Sequence, residues 1–146
     1  MDMARLAEFV GNHWIMSSGL FIVSLLLIQD LYDTLTRKHK STSPAAAVAL
    51  LNDEDAVVID VRDPQEYAKG HIENAIHVPF ARLDEKIFEL SIHKDKPVIV
   101  ACQQGTRSAA ACKKLVKAGF AQVHDLKGGI LAWEDAKLPL ITRKGK

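Results

Sequence analysis

Two short stretches, Ala56-Val57-Val58-Ile59-Asp60-Val61 and Val98-Ile99-Val100-Ala101, are apolar without the alternation expected of a half-exposed strand. A strand that is apolar at nearly every position has to be covered on both faces, which is the situation inside a parallel sheet. Around them lie short segments of helical character: Ala45 to Leu51, Pro64 to Ala68, Ala81 to Leu90 with Leu83, Ile87 and Leu90 on one face, and Ser108 to Ala118 closed by Gly119. Val123-His124-Asp125-Leu126 adds a last strand, and Gly128-Gly129 turns into Ile130 to Ala136. This alternation predicts an α/β fold, a mainly parallel sheet with helices on both faces and right-handed crossovers. Ligands of such sheets bind beyond the carboxyl ends of the strands.

A thiol stands at that edge. Val98 to Ala101 runs directly into Cys102-Gln103-Gln104-Gly105-Thr106-Arg107-Ser108, a loop followed by the helical segment. Gly105 gives the freedom in φ that a tight cradle needs, and Ser108 is expected to cap the helix, whose positive end then faces the sulfur. Loop amides and helix terminus together should lower the pKa of Cys102 below the roughly 8.5 of a free thiol. Cys102 therefore reads as a nucleophile, with Gln103, Gln104, Gly105, Thr106, Arg107 and Ser108 as the cradle for its substrate. The competing reading, a small buried hydrophobe at a strand end, is the commoner fate of a lone cysteine. The glycine, the arginine and the cap weigh against it. Asp60, a carboxylate inside a buried run, needs a partner, either Arg62 or loop amides, and structural pairing weighs above direct catalysis.

Cys102-x-x-Gly105-x-Arg107-Ser108 resembles the active-site loop of the rhodanese family of sulfurtransferases. Ile59-Asp60-Val61-Arg62-Asp63-Pro64-Gln65-Glu66-Tyr67-Ala68-Lys69-Gly70-His71-Ile72 resembles the family's early signature, and Gly128-Gly129-Ile130-Leu131-Ala132-Trp133 its late one. Three motifs in order, from about Pro44 to about Ile141, are far more specific than one loop. The resemblance implies a rhodanese-like sheet and a ping-pong transfer in which Cys102 takes sulfane sulfur as a persulfide. Thiosulfate is the generic donor it implies, and thiols or cyanide-like nucleophiles the acceptors. It also places the segment around Glu66 and His71 at the wall of the site, so Asp60, Arg62 and His71 are expected to support the loop. Arg107 would hold the loop or attract an anionic donor. Cysteine phosphatases share a related loop, Cys-x5-Arg, but this one is Cys-x4-Arg, a smaller ring, and no strong general acid for a leaving alcohol stands out.

Composition narrows the rest. The 146 residues allow one modest domain plus an appendage, and a formal net charge of +1 leaves no footprint for nucleic acid. Two cysteines are too few for a disulfide scaffold and fit a reducing compartment. Cys112 shares a helix face with Ala109 and Leu115 or Val116 and reads as packing against the sheet, ahead of a resolving-thiol role. Histidines at 71, 77, 93 and 124 lack the paired spacing and extra thiols of a zinc site, so neither a metal nor a cofactor is expected. Trp133 reads as a packing anchor rather than a substrate platform.

The appendage is N-terminal. After a polar tail, residues 1–8 with Asp2, Arg5 and Glu8, the 21 residues from Phe9 to Gln29 carry no Asp, Glu, Lys or Arg. As a helix they would reach about 30 Å, one hydrocarbon thickness, with Trp14 at an interfacial position. Residues 9–30 are therefore expected to form a transmembrane helix, since a signal peptide wants a basic start and a small-residue cleavage site, and a core helix wants a polar face. His13, Ser17 and Ser24 fall in one narrow arc that could meet a partner helix in another membrane protein. Residues 31–43 read as a juxtamembrane linker, 44–141 as the rhodanese-like domain, and 142–146 as a basic tail. Arg37, Lys38 and Lys40 follow the apolar span, and the positive-inside rule then puts the domain in the cytoplasm, anchored single-pass in an inner membrane of bacterial type and in contact with its lipid. A second reading makes the chain a membrane-tethered module that docks membrane proteins, its thiol incidental.

Overall fold

The computed structural model describes residues 12–35 and 39–142, in two units, Met1–Arg37 and Lys38–Lys146, each taken by itself below. The elements in chain order are α1 (Trp14–Leu35), β1 (Lys40–Thr42), α2 (Pro44–Asp53), β2 (Val57–Asp60), α3 (Pro64–Lys69), β3 (Ile76–His77), α4 (Leu83–Leu90), β4 (Pro97–Ala101), α5 (Thr106–Lys117), β5 (Gln122–Leu126) and α6 (Gly129–Asp135). Single 3-10 turns, Phe80–Arg82 and Ser91–His93, flank α4.

In the second unit the five strands form one parallel sheet in the order β1-β5-β4-β2-β3. β4 is buried along its whole length, with Val57–Asp60 opposite Val98–Ala101 on one side and Gln122–Asp125 opposite Pro97–Val100 on the other. Successive side chains of a strand point to opposite faces. Val98, Val100 and Cys102 accordingly join Ile59, Cys112 and Leu115 in one core, while Ile99 and Ala101 join Val58, Leu126, Ile130 and Trp133 in the other. Two cores on one sheet explain why these strands have no polar face. Each full burial of a large aliphatic contributes about 1.5 to 3 kcal/mol, so the central strands hold the fold.

Local chemistry sets the helix starts. Ser43 caps α2, accepting the Ala46 N–H at 3.3 Å ahead of Pro44, and Asp63 with Glu66 forms a capping box on α3. α5 starts differently from expectation: Gly105, at φ 99°, occupies its cap position, and Ser108 lies inside the first turn. The edge strand β1 is also a departure, since Lys40–Thr42 fell in the expected linker. Two of its three residues are exposed; Thr42 is buried and its Oγ1 meets His124 Nδ1 at 2.8 Å. A three-residue polar strand has no periodicity to read.

In the first unit α1 carries Trp14, Ile15, Leu20, Phe21 and Leu25 to Ile28 exposed. The expected span of residues 9–30 begins outside the described residues. Among those described, no helix is long and apolar enough to cross a membrane. The physical reason is length: the apolar run from Trp14 to Ile28 covers about 22 Å at 1.5 Å per residue, against about 30 Å of hydrocarbon. The Ser24 hydroxyl donates to Leu20 O within its own helix at 2.8 Å. The tail of residues 1–8, Arg37 and Lys38, and residues 143–146 lie outside the described residues.

Candidate active site

Cys102 follows the last residue of β4 and is fully buried. Its loop is fixed from outside as well as from within. The backbone N–H of Ile130 donates to Cys102 O at 2.8 Å and that of Leu131 to Gln103 O at 3.3 Å, so the first turn of α6 holds the loop's entrance. This contact requires Gly129: with φ at 64°, a Cβ there would sit 2.3 Å from Cys102 O. Within the loop, the Gly105 N–H donates to Cys102 Sγ at 2.9 Å, and the Ser108 hydroxyl lies 3.4 Å from the same sulfur. Of the amides expected to ring the sulfur, that of Gly105 reaches Sγ, and the Ser108 hydroxyl meets it from the first turn of the helix. Gln104 and Thr106 are exposed, on the loop's outer side.

Two guanidinium groups hold the loop against the segment after β2. Arg62, itself buried, grips Asp60 through Nε at 3.0 Å to both carboxylate oxygens and through Nη2 at 2.8 Å. The same guanidinium donates to Gly70 O at 2.7 Å, Glu66 O at 3.2 Å and Gln103 Oε1 at 3.1 Å. Asp60 therefore has Arg62 for its partner, the pairing its burial demanded, and Arg62 reaches the cysteine loop through Gln103. Arg107 donates from Nη2 to both oxygens of Glu66 at 2.8 Å and from Nη1 to Asp63 at 3.3 Å. The hydrogen bond from Arg107 holds the Glu66 carboxyl below its ordinary range, and Glu66 in turn raises Arg107. With its charge engaged by two carboxylates, Arg107 holds the loop; of the two roles expected for it, this is the one the geometry displays.

His71 stands apart from the sulfur. Its ring stacks on Tyr67 with centroids 3.8 Å apart, Tyr67 stacks in turn on His77, and His71 Nδ1 meets Tyr67 O at 3.0 Å. Its backbone exchanges both hydrogen bonds with Ile141. His71 thereby shapes the turn at Gly70, whose carbonyl receives Arg62, and stays out of the cysteine loop. A cleft of about 290 Å³ beside the loop is lined by Arg62, Glu66, Lys69, Gln103, Ile130 and Glu134.

Asp125 is the residue the sequence did not announce. From β5 its Oδ1 lies 2.5 Å from Ser108 Oγ, the hydroxyl that touches the sulfur. Neither motif nor periodicity marks it; only the register of β5 beside β4 brings it there. Cys112 is buried in the core under the sheet, and its thiol is pushed far above the ordinary range, first by burial and then by Asp125 and Cys102. That keeps it a packed thiol rather than an attacking one. Among the described residues no group of three or more His, Cys, Asp or Glu is arranged to hold a metal ion.

A parallel α/β sheet that delivers one cysteine from its central strand into an arginine-tied loop, with the Gly105 amide on its sulfur, defines a class of cysteine-loop domains. Within that class the chain belongs to the rhodanese family, the model of the rhodanese-like domain matching residues 43–136. It is 38% identical over 143 residues to YibN of Escherichia coli (strain K12), across 97% of this chain and 100% of that protein. It is 38% identical over 96 residues to the thiosulfate sulfurtransferase GlpE of Coxiella burnetii, across 66% of this chain and 88% of that one. Among solved structures it is similar to a rhodanese-related protein from Thermoplasma volcanium, with 34% identity and a TM-score of 0.64, covering 70% of this chain and 98% of the other.

Proposed function

We propose that this chain is a sulfurtransferase that carries sulfane sulfur on Cys102. The Cys102 thiolate attacks the outer sulfur of a donor such as thiosulfate; a new S–S bond forms to Cys102 while the donor's own sulfur–sulfur bond breaks and sulfite leaves with its electron pair. A thiol or cyanide-like acceptor then attacks the outer sulfur of the persulfide, and Cys102 leaves as thiolate. The observation that carries this reading is the Gly105 N–H pointed at Cys102 Sγ at 2.9 Å, in a loop clamped by Arg62 and Arg107. A donor of that kind stabilises negative charge on sulfur in both half-reactions. The name of the Coxiella relative supports thiosulfate as the first donor to try. After exposure to thiosulfate, the intact mass of the reduced protein should rise by one sulfur atom located on Cys102. A Cys102→Ser variant that retains transfer would end the proposal.

The exposed apolar side chains of α1 support a second element of the proposal, that the chain works at a membrane, in the bacterial inner membrane with its sulfur-carrying domain in the cytoplasm. Residues 9–11 would have to extend α1 to complete a crossing. The same exposed side chains of α1 support the alternative that the domain is a docking module for a membrane protein. Flotation of the full chain with lipid vesicles checks membrane binding, and a crosslinked partner combined with no sulfur uptake by Cys102 would favour the docking module.

A further inference from the structure

Ser108 is fully buried, and its Oγ lies 2.5 Å from Asp125 Oδ1, 3.0 Å from Gly105 O and 3.4 Å from Cys102 Sγ. A carboxylate and a carbonyl can only accept, and a serine hydroxyl has one hydrogen to give. Hydrogen bonds to ionised acceptors are shorter and stronger than neutral ones, so the hydrogen goes to Asp125. The oxygen lone pair left over faces the sulfur and suits a Cys102 that still carries its own hydrogen. We infer that Asp125 is a positioning residue for Cys102: by engaging Ser108 it keeps that hydroxyl's hydrogen away from the sulfur and holds the resting cysteine as a thiol.

This rests on the reading of Cys102 as the sulfur carrier and adds the condition under which it becomes reactive. For the thiolate to form, the Sγ proton passes to water and the Ser108 hydrogen turns from Asp125 to Sγ. The groups facing the sulfur divide on this step. The Gly105 N–H and the Arg107 charge favour the thiolate, although Glu66 and Asp63 already engage that arginine. Asp125, from β5, opposes it by its charge and by its hold on Ser108, and Cys112, from the next turn of α5, stays uncharged. Arg62 acts on the loop only through Gln103.

The test is an ultraviolet titration of thiolate absorbance in the full chain, with Cys102→Ser as the reference that isolates the Cys102 signal. Removing a like charge one hydroxyl away in Asp125→Asn should move the appearance of the thiolate down by about one pH unit, a gain of about tenfold in thiolate at any pH below both midpoints. In a Ser108→Ala background the same substitution should shift it less, because the share carried through the hydroxyl is gone and only the through-space effect of the charge remains. An unchanged or upward-moved titration in Asp125→Asn overturns the inference, and so does a shift of equal size in the Ser108→Ala background. Asp125→Ser serves as the second variant should the asparagine form fold poorly, and circular dichroism checks each. The titration uses no sulfur donor, so failure of the wild-type chain to take up sulfur would sink the sulfurtransferase reading while leaving this result to stand or fall separately.

Discussion

Gly129→Ala is the perturbation whose cost the structure specifies most fully. The residue sits at φ 64°, and an added Cβ would lie 2.3 Å from Cys102 O, 2.6 Å from Gln103 O and 2.7 Å from the Gln103 carbonyl carbon. A left-handed backbone costs a non-glycine residue about 1 to 2 kcal/mol. All three clashing atoms are backbone, so relief requires the cysteine loop to move; overpacking of this kind costs about 1 to 3 kcal/mol. Movement also weakens the Ile130 N–H bond to Cys102 O, for about 0.5 to 1.5 kcal/mol. Together these give about 2.5 to 6.5 kcal/mol. Gly119 provides the control, because its φ is also positive, at 92°, but the nearest atom to an added Cβ is Lys94 Nζ at 3.9 Å. Gly119→Ala should therefore cost only the backbone part, about 1 to 2 kcal/mol. Urea denaturation of the two variants measures the difference, and sulfur loading of Cys102 should fall in Gly129→Ala alone. Two variants within about 1 kcal/mol of each other would refute the claim that α6 imposes the loop's shape by close backbone contact.

Three further outcomes follow from the charged groups. Asp60→Ala leaves Arg62 buried with its ion pair broken, and denaturation should show a loss of about 3 to 5 kcal/mol. Glu66→Gln releases one side of an Arg107 that is about a third exposed, so stability should change by less than about 1 kcal/mol while sulfur loading slows. Because Arg107 depresses the Glu66 pKa below 4.5, the pair contributes above that pH and its contribution is lost as pH falls through the folded-state value, so wild type and Glu66→Gln should converge in acid. Burial lowers the pKa of His124 from 6.5, so the unfolded chain binds this proton more readily, and stability should fall as pH drops from 6.5 through the folded-state value. His124→Asn should remove that part of the pH dependence, read from denaturation midpoints across the range.

The central strands and the cysteine loop were legible in the sequence because their signals are local: apolar residues in succession for β2 and β4, and a cysteine, a glycine and an arginine within seven residues. The Asp60–Arg62 pairing was legible too, since a carboxylate in a buried run admits few solutions and the arginine is two residues away. β1 was not, because Lys40–Thr42 owes its strand conformation to β5, with Thr42 tied to His124. Ser108 reads as a cap in the sequence, yet Gly105 ends the loop by adopting a positive φ, and nothing in the order of residues separates a serine that caps a helix from one inside its first turn. Asp125 was invisible for a related reason. An aspartate in a short strand carries no signal until the register of the sheet sets it beside α5.

The sheet order accounts for why so much of the site comes from outside its own loop. With β5 and β2 on either side of β4, the segments that leave β2 and β5 emerge flanking the segment that leaves β4. The first of these becomes α3 and supplies Asp63 and Glu66 for Arg107; the second becomes α6 and supplies the Ile130 and Leu131 amides. Arg62 follows just past the end of β2 and Asp125 sits near the end of β5, so each neighbouring strand or its exit also gives one side chain that reaches the loop directly. A parallel sheet places all three carboxyl ends at one edge, and the arginine and serine of the loop motif are each met there by a group from another element. The three sequence motifs separated by tens of residues are therefore the exits of three adjacent strands, and the loop holds its shape around the sulfur only when all three are in place.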